Sequence, residues 1–215
     1  MSPDPYSMTV LGPSHFLKCP WKDDQNKTTT QMIIYPPESD FKKGNFLFRI
    51  SKAPVVDDTP WSFFPDYNRY VLVLEGKGIK LDHGPHGKAE LTRYSKAHEF
   101  EGEWETRPTL LQGPIVDFNV MVARGLTEAA IDVYRVEKHT KIPCSLVAPF
   151  HFFYCAEGRV QAALIGTSKT NNISKGKAIF LEAQDYSPDE TCAWFSLTSF
   201  SESSVVIGVG IFYST

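Results

Sequence analysis

Short runs of β-branched and aromatic residues, punctuated by Gly, Pro, Asp and Asn, recur along the whole of this chain, and helical periodicity is nearly absent. Only folds in which strands bury one another fit that pattern, so a sandwich or barrel is expected. Strands are expected at Gln31–Tyr35, Phe46–Lys52, Tyr70–Glu75, Ile79–Leu81, Thr109–Leu111, Val116–Val122, Ile131–Val136, Phe150–Ala156, Val160–Ile165, Lys177–Leu181, Ala193–Leu197 and Val205–Phe212. The only helical candidate is a turn near Leu126–Ala130. VLVLEGKGIKL (71–81) and FFYCAEGRVQAALI (152–165) share one theme, an apolar strand ending in Glu-Gly followed by a second strand. The theme favours two related barrels, residues 1–124 and 125–215, divided near Arg124-Gly125. Residues 83–98 are polar and Gly-rich and read as an excursion between strands.

With 215 residues, 42% of them hydrophobic, the chain can build a core without staples. Its N-terminus has no basic flank followed by an apolar run, and no stretch approaches the ~20 apolar residues that span a bilayer, so the expected compartment is the cytoplasm, away from membranes. Cys19, Cys144, Cys155 and Cys192 form neither a CxxC pair nor a dense framework and are expected to be free thiols. The net charge is −3, the basic residues are scattered, and Lys169, Lys175 and Lys177 fit a solvated hairpin, which argues against nucleic acid as a partner.

Specific residues then narrow the class. Pro20-Trp21-Lys22, Thr28, Phe48-Arg49-Ile50-Ser51, Phe63-Phe64-Pro65, Arg69, Leu74-Glu75-Gly76-Lys77-Gly78, Phe100 with Gly102, and Gly113-Pro114 followed by Asp117, Asn119, Met121 and Arg124-Gly125 resemble, in order and spacing, the HutD/Ves family of metal-free bicupins. The match runs from Pro20 to Gly125; the second half agrees only in being β-rich. The resemblance implies two RmlC-like jelly rolls and a cytoplasmic accessory or regulatory role in histidine utilisation through a small acidic catabolite such as urocanate or a formylated glutamate. Ves members are associated with stress responses. Where the family usually has Asn and a run of glycines after Pro-Trp-Lys, this chain has Asp23-Asp24-Gln25-Asn26-Lys27, bulkier and charged.

Metal-binding cupins place ligands in an HxH, Glu, Gly pattern. Counting back from Gly76 puts Arg69 at the Glu position and Phe63 and Pro65, or Ser62 and Phe64, at the His positions. An arginine has no lone pair to give and Phe and Pro have no donor, so no metal and no other cofactor is expected. The last His position falls on Glu105; in the second half His151 stands alone and reads as a core histidine. His83 and His86 lie outside the pattern and read as surface residues.

Strand alternation supplies the rest. Phe46, Phe48 and Ile50 oppose Leu47, Arg49 and Ser51, and Val116, Phe118, Val120 and Val122 oppose Asp117, Asn119 and Met121. The mixed faces should turn Arg49, Ser51, Asp117, Asn119 and Met121 into the first barrel, where Arg69 joins them. Two planar cations suit a carboxylate, with Trp21 and Phe63 as aromatic cover and Lys22 as a further charge. The competing account makes the arginines internal ion pairs of Asp117 and Glu75, and Trp21 and Phe63-Phe64 core. An enzyme, either a metal-free isomerase or lyase or a dioxygenase-like cupin, would draw on His151, Glu75, Asp117 or Glu105, among which no pair has a diagnostic spacing, so no catalytic residue is assigned. A homodimer remains open, since Val205–Tyr213 is apolar enough to be buried on both faces or shared with a partner.

Overall fold

The computed structural model describes residues 4–20, 27–188 and 192–214, and among them the regular structure is β-strand, joined by turns and loops and by three single turns of 3-10 helix. In chain order the strands are β1 (Tyr6–Leu11), β2 (Leu17–Pro20), β3 (Thr28–Tyr35), β4 (Phe48–Val55), β5 (Tyr67–Glu75) and β6 (Gly78–Asp82). Then come β7 (Lys88–Thr92), β8 (His98–Glu101), β9 (Arg107–Leu110), β10 (Ile115–Ala123), β11 (Thr127–Glu137) and β12 (Lys141–Leu146). The last six are β13 (Phe150–Glu157), β14 (Arg159–Leu164), β15 (Thr170–Ser174), β16 (Ala178–Ala183), β17 (Ala193–Ser199) and β18 (Ser203–Tyr213).

Two compact units result, one built mainly from Phe16–Ala129 and the other from the residues up to His15 together with Ala130–Tyr213. The partition differs from the expected 1–124 and 125–215 because β1 pairs antiparallel with β16, Tyr6 opposite Ala183 through Leu11 opposite Ala178. That pairing carries the first residues into the second unit, a long-range event that leaves no local pattern in the sequence.

In the first unit a six-stranded sheet, ordered β2-β3-β4-β10-β5-β8, faces a three-stranded sheet, β7-β6-β9. Val55, Val71, Val73, Ile79, Leu81, Leu91, Phe100 and Ile115 pack between them. Each fully buried aliphatic side chain contributes about 1.5–3 kcal/mol, and this cluster closes one end of the sandwich. The second unit repeats the arrangement with sheets β1-β16-β13-β18-β11 and β12-β17-β14-β15 around a core that includes Phe153, Leu164, Leu181, Phe195 and Val206.

Three expectations are corrected. Thr127–Ala130 lies in β11, not in a helical turn. The excursion at 83–98 contains β7 and the start of β8, because Lys88–Asp82 and Gly78–Thr92 pairing closes a hairpin around it. Phe46 precedes β4 and packs with Tyr67 and Met121 instead of sharing the face of Phe48. β18 sits between β13 and β11 with most of its apolar run buried, the first of the two alternatives expected for Val205–Tyr213.

Gly102 fixes the segment that borders the site. Its N–H donates to the Tyr67 carbonyl and its carbonyl accepts from the Phe64 N–H, both at 2.8 Å. A Cβ there would stand 2.3 Å from the Phe64 carbonyl oxygen. Gly102→Ala is therefore expected to cost about 2–3 kcal/mol, read as a lowered urea midpoint; an unchanged midpoint would contradict the packing.

Candidate functional site

Three neighbouring strands of the first unit, β4, β10 and β5, bring the polar residues together. Met121 of β10 stands opposite Arg49 of β4 on one side and Arg69 of β5 on the other. Asn119 stands opposite Ser51 and Val71, and Asp117 opposite Ala53 and Val73. Because side chains two apart share a face, all six candidates, Arg49, Ser51, Arg69, Asp117, Asn119 and Met121, line one open cavity of about 1300 Å³.

Both arginines are buried, Arg49 at 3% and Arg69 at 6% exposure. Arg49 donates from Nε to Gln31 Oε1 at 2.8 Å, and its guanidinium lies 3.9 Å over the Phe41 ring. Phe41 is held there by a single helical turn: Asp40 caps it by accepting from the Lys42 N–H at 2.9 Å, and Gly44 ends it in the left-handed region at φ 63°. Arg69 has the rings of Trp61 and Phe100 at 5.0 and 5.1 Å and donates to the Ser62 carbonyl at 3.4 Å. Its Nε, like Oδ1 of Asn119, is buried without a hydrogen-bond partner.

No ion pair joins either arginine to a carboxylate among the described residues. Asp117 instead accepts from the Ala53 N–H at 2.8 Å, and Glu75 is exposed at the end of β5. The internal ion-pair account thus loses its direct contacts, and what remains is a field at longer range. Burial pushes Asp117 up to about 6 against the pull of that N–H and of Arg69 and Arg49. Burial likewise brings Arg69 and Arg49 down to about 10. Two cations and one anion leave the interior positive at neutral pH.

Arg124, from the same sequence motif, is different in kind. It forks onto Glu103 with two 2.6 Å hydrogen bonds and donates from Nε to Asn68 Oδ1 at 2.9 Å, so its charge is spent within the fold. Phe63, expected as ligand cover or core, is 67% exposed at the cavity rim, whereas Phe64 packs on Phe41 with ring centroids 4.9 Å apart. Trp21 and Lys22, and the altered loop as far as Asn26, lie outside the described residues. Lys27 pairs with Asp57 at 2.7 Å. Glu105 is exposed and bound to Arg107 at 2.6 Å.

Histidines were the least legible part. His83, expected at the surface, is 1% exposed. Thr106 Oγ1 donates to the Trp104 carbonyl at 3.1 Å, so it accepts from His83 Nδ1 at 2.9 Å. That leaves His83 Nε2 as acceptor from His98 Nε2 at 3.0 Å. His86 stacks on Trp104 with centroids 4.3 Å apart. His151 is buried, accepts from the Ala148 N–H at 3.2 Å and meets Tyr6 edge-on, as a core histidine would.

Burial lowers both His83 and His151 to about 4. Each must stay neutral in the fold while the unfolded chain binds protons below about pH 6.5, so their contribution is present above that pH and lost as pH falls toward 4. Each is worth up to about 3 kcal/mol. Asp117 works in the opposite sense, since the cost of its buried charge is lifted as pH falls through 6. Urea midpoints are therefore expected to drop between pH 7 and pH 4.5 by the equivalent of about one such histidine, and less in His151→Phe. A flat profile would contradict it.

Among the described residues no three His, Cys, Asp or Glu side chains converge with metal-binding geometry. The cavity's own donors are guanidinium N–H groups, which do not fit the divalent cation that cupin folds often hold. The four cysteines are free; burial pushes Cys144 up to about 11 and Cys155 to about 12. No helix is long and apolar enough to cross a membrane.

With this geometry established, the similarities are informative. The family profile described as HutD matches residues 14–194. A conserved protein of unknown function from Pseudomonas aeruginosa has a similar structure, with a TM-score of 0.81 and 23% identity over 97% of this chain and 100% of that one. HutD from Pseudomonas fluorescens, solved under a formate condition, gives a TM-score of 0.74 and 16% identity over 97% and 100%. The protein YlbA of E. coli gives 0.65 and 10% over 95% and 90%. Together with a vicilin of Solanum melongena, at 0.63 and 8% over 95% and 84%, it supports a cupin-type β fold. No curated protein matches the sequence.

Proposed function

The chain belongs to the HutD family, and on that premise we propose that it is a non-enzymatic binding protein whose first unit holds a small carboxylate metabolite between Arg49 and Arg69. Each unit is read as one cupin-like jelly roll, making the chain a bicupin in which the first barrel carries the site. The ligand is of the urocanate or formylated glutamate type, and the role is accessory or regulatory, in histidine utilisation or a stress response.

One observation carries this reading: two guanidinium groups, on the strands flanking β10, are buried in one cavity with no carboxylate in contact among the described residues. A desolvated cation costs several kcal/mol unless an anion joins it, and among the described residues the carboxylate that bears on both arginines is Asp117, at longer range, with Cys19 also beside Arg49. A bound carboxylate supplies the missing contact bidentately. The rings of Phe41, Trp61 and Phe64 line the same cavity and offer apolar cover for a flat or acyl body beside it.

A second reading, an acid–base enzyme, has one observation in its favour: Asp117, facing the same cavity, is pushed up to about 6, into the range of a general base. Melting curves separate the two. At a hundredfold excess over its dissociation constant, urocanate or N-formylglutamate is expected to raise the melting temperature by about 5 °C. No shift with these, with histidine or with glutamate would refute carboxylate binding; loss of the ligand during incubation would favour the enzyme.

A further inference from the structure

Among the described residues, two buried polar atoms of cavity-lining side chains lack partners, and they are of opposite kind. Arg69 Nε is a donor and Asn119 Oδ1 an acceptor. They lie on adjacent strands: Arg69 faces Met121, and Asn119 is the next residue along β10 on the same side. Diagonal neighbours of this sort stand about 7–8 Å apart at the backbone, within reach of an extended arginine and an asparagine. Yet the two atoms do not satisfy each other.

An orphaned buried donor or acceptor costs about 1–3 kcal/mol, and native folds keep few of them. Carboxylate binding alone answers only the donor. Neither oxygen of a carboxylate has a proton to give Asn119 Oδ1, so a simple acid leaves the acceptor as unsatisfied as before. A ligand that carries an N–H or O–H beside its carboxylate answers both atoms at once, after small torsional movements that turn Nε and Oδ1 toward it.

We propose that the cavity selects carboxylates bearing an adjacent hydrogen-bond donor, with Arg69 Nε donating to the carboxylate and Asn119 Oδ1 accepting from the ligand's N–H or O–H. Asn119 is then the specificity-determining residue. The proposal rests on the carboxylate reading of the same site and adds to it the chemical class of the ligand. A site built to hydrogen-bond a ligand N–H rejects the analogue that lacks it, because its own polar group is left unpaired.

The test uses N-acetylglycine, which has a carboxylate and an adjacent amide N–H, and N-acetylsarcosine, in which that N–H is replaced by N–CH3. Titration calorimetry on the full chain is expected to show N-acetylglycine binding at least tenfold tighter. In Asn119→Leu the ratio is expected to fall to about two, which excludes a merely steric effect of the methyl group. Asn119→Asp keeps the acceptor and the shape while adding a negative charge, so both probes weaken but the ratio persists; this holds even if the leucine variant fails to fold. Equal affinities in the unmutated protein, a ratio that survives in Asn119→Leu, or a ratio lost in Asn119→Asp would each overturn the donor requirement while leaving carboxylate binding intact. If neither probe binds, both readings fall together.

Discussion

Arg69→Met is expected to make the ligand-free protein more stable, by about 1–2 kcal/mol, and to weaken carboxylate binding by about 100-fold. The two effects have opposite signs because they have different origins. Arg69 is 6% exposed, has no carboxylate in contact among the described residues and leaves Nε unpartnered. Removing such a charge relieves a desolvation penalty, and methionine keeps most of the hydrophobic contact with Trp61 and Phe100. The ligand, by contrast, loses a charge-assisted hydrogen bond in a water-poor interior. Had Arg69 been a structural partner of Asp117, the same substitution would destabilise the fold by about 3–5 kcal/mol. Chemical denaturation with and without N-formylglutamate distinguishes the cases, and destabilisation would support the structural role.

Asp117 gives the second large effect. Its carboxyl is pushed up to about 6 by burial, and the groups bearing on it are the Ala53 N–H and the two guanidinium groups, which stay charged throughout the neutral range. Above pH 6 its negative charge opposes an incoming carboxylate; below it the opposition disappears. Carboxylate affinity is therefore expected to rise about tenfold as pH falls from 8 to 5, for a ligand that remains ionised over that range. Asp117→Asn retains the acceptor for the Ala53 N–H, so it is expected to bind about tenfold tighter at pH 8 and to lose the pH dependence. Calorimetric titrations at pH 5 and pH 8 check both. An affinity that instead rises with pH would refute the placement of Asp117 beside the ligand.

The residues of the cavity could be read in advance because strand periodicity is a local rule. Arg49 and Ser51 on one strand, and Asp117, Asn119 and Met121 on another, alternate with apolar residues, and the ladder then aligns them. The all-β class followed from the same rule, and the HutD family from motif spacing. What escaped depends on pairing at a distance. β1 joins β16 across the length of the chain, and nothing near Tyr6–Leu11 announces it. His83 lies in a polar, Gly-rich stretch that looks exposed; it becomes buried only because Thr106, Trp104 and His98 arrive from other strands and loops to cover and bond it. Phe63 and Phe64 are adjacent in sequence, yet one is at the rim and the other packed on Phe41, a difference set by the Gly102 contact and not by residue type. The missing pairing of Arg49 and Arg69 was equally hidden, since a sequence shows which acids are present but not the few ångströms that separate a pair from a field.

The central claim is that these two guanidinium groups grip a carboxylate. A crystal structure of the protein grown with N-formylglutamate tests it most directly. The expected density places the ligand carboxylate within about 3 Å of nitrogen atoms of both Arg49 and Arg69, inside the first unit. A carboxylate seated elsewhere while this cavity stays filled with solvent, or a metal ion bound where the arginines stand, would contradict it.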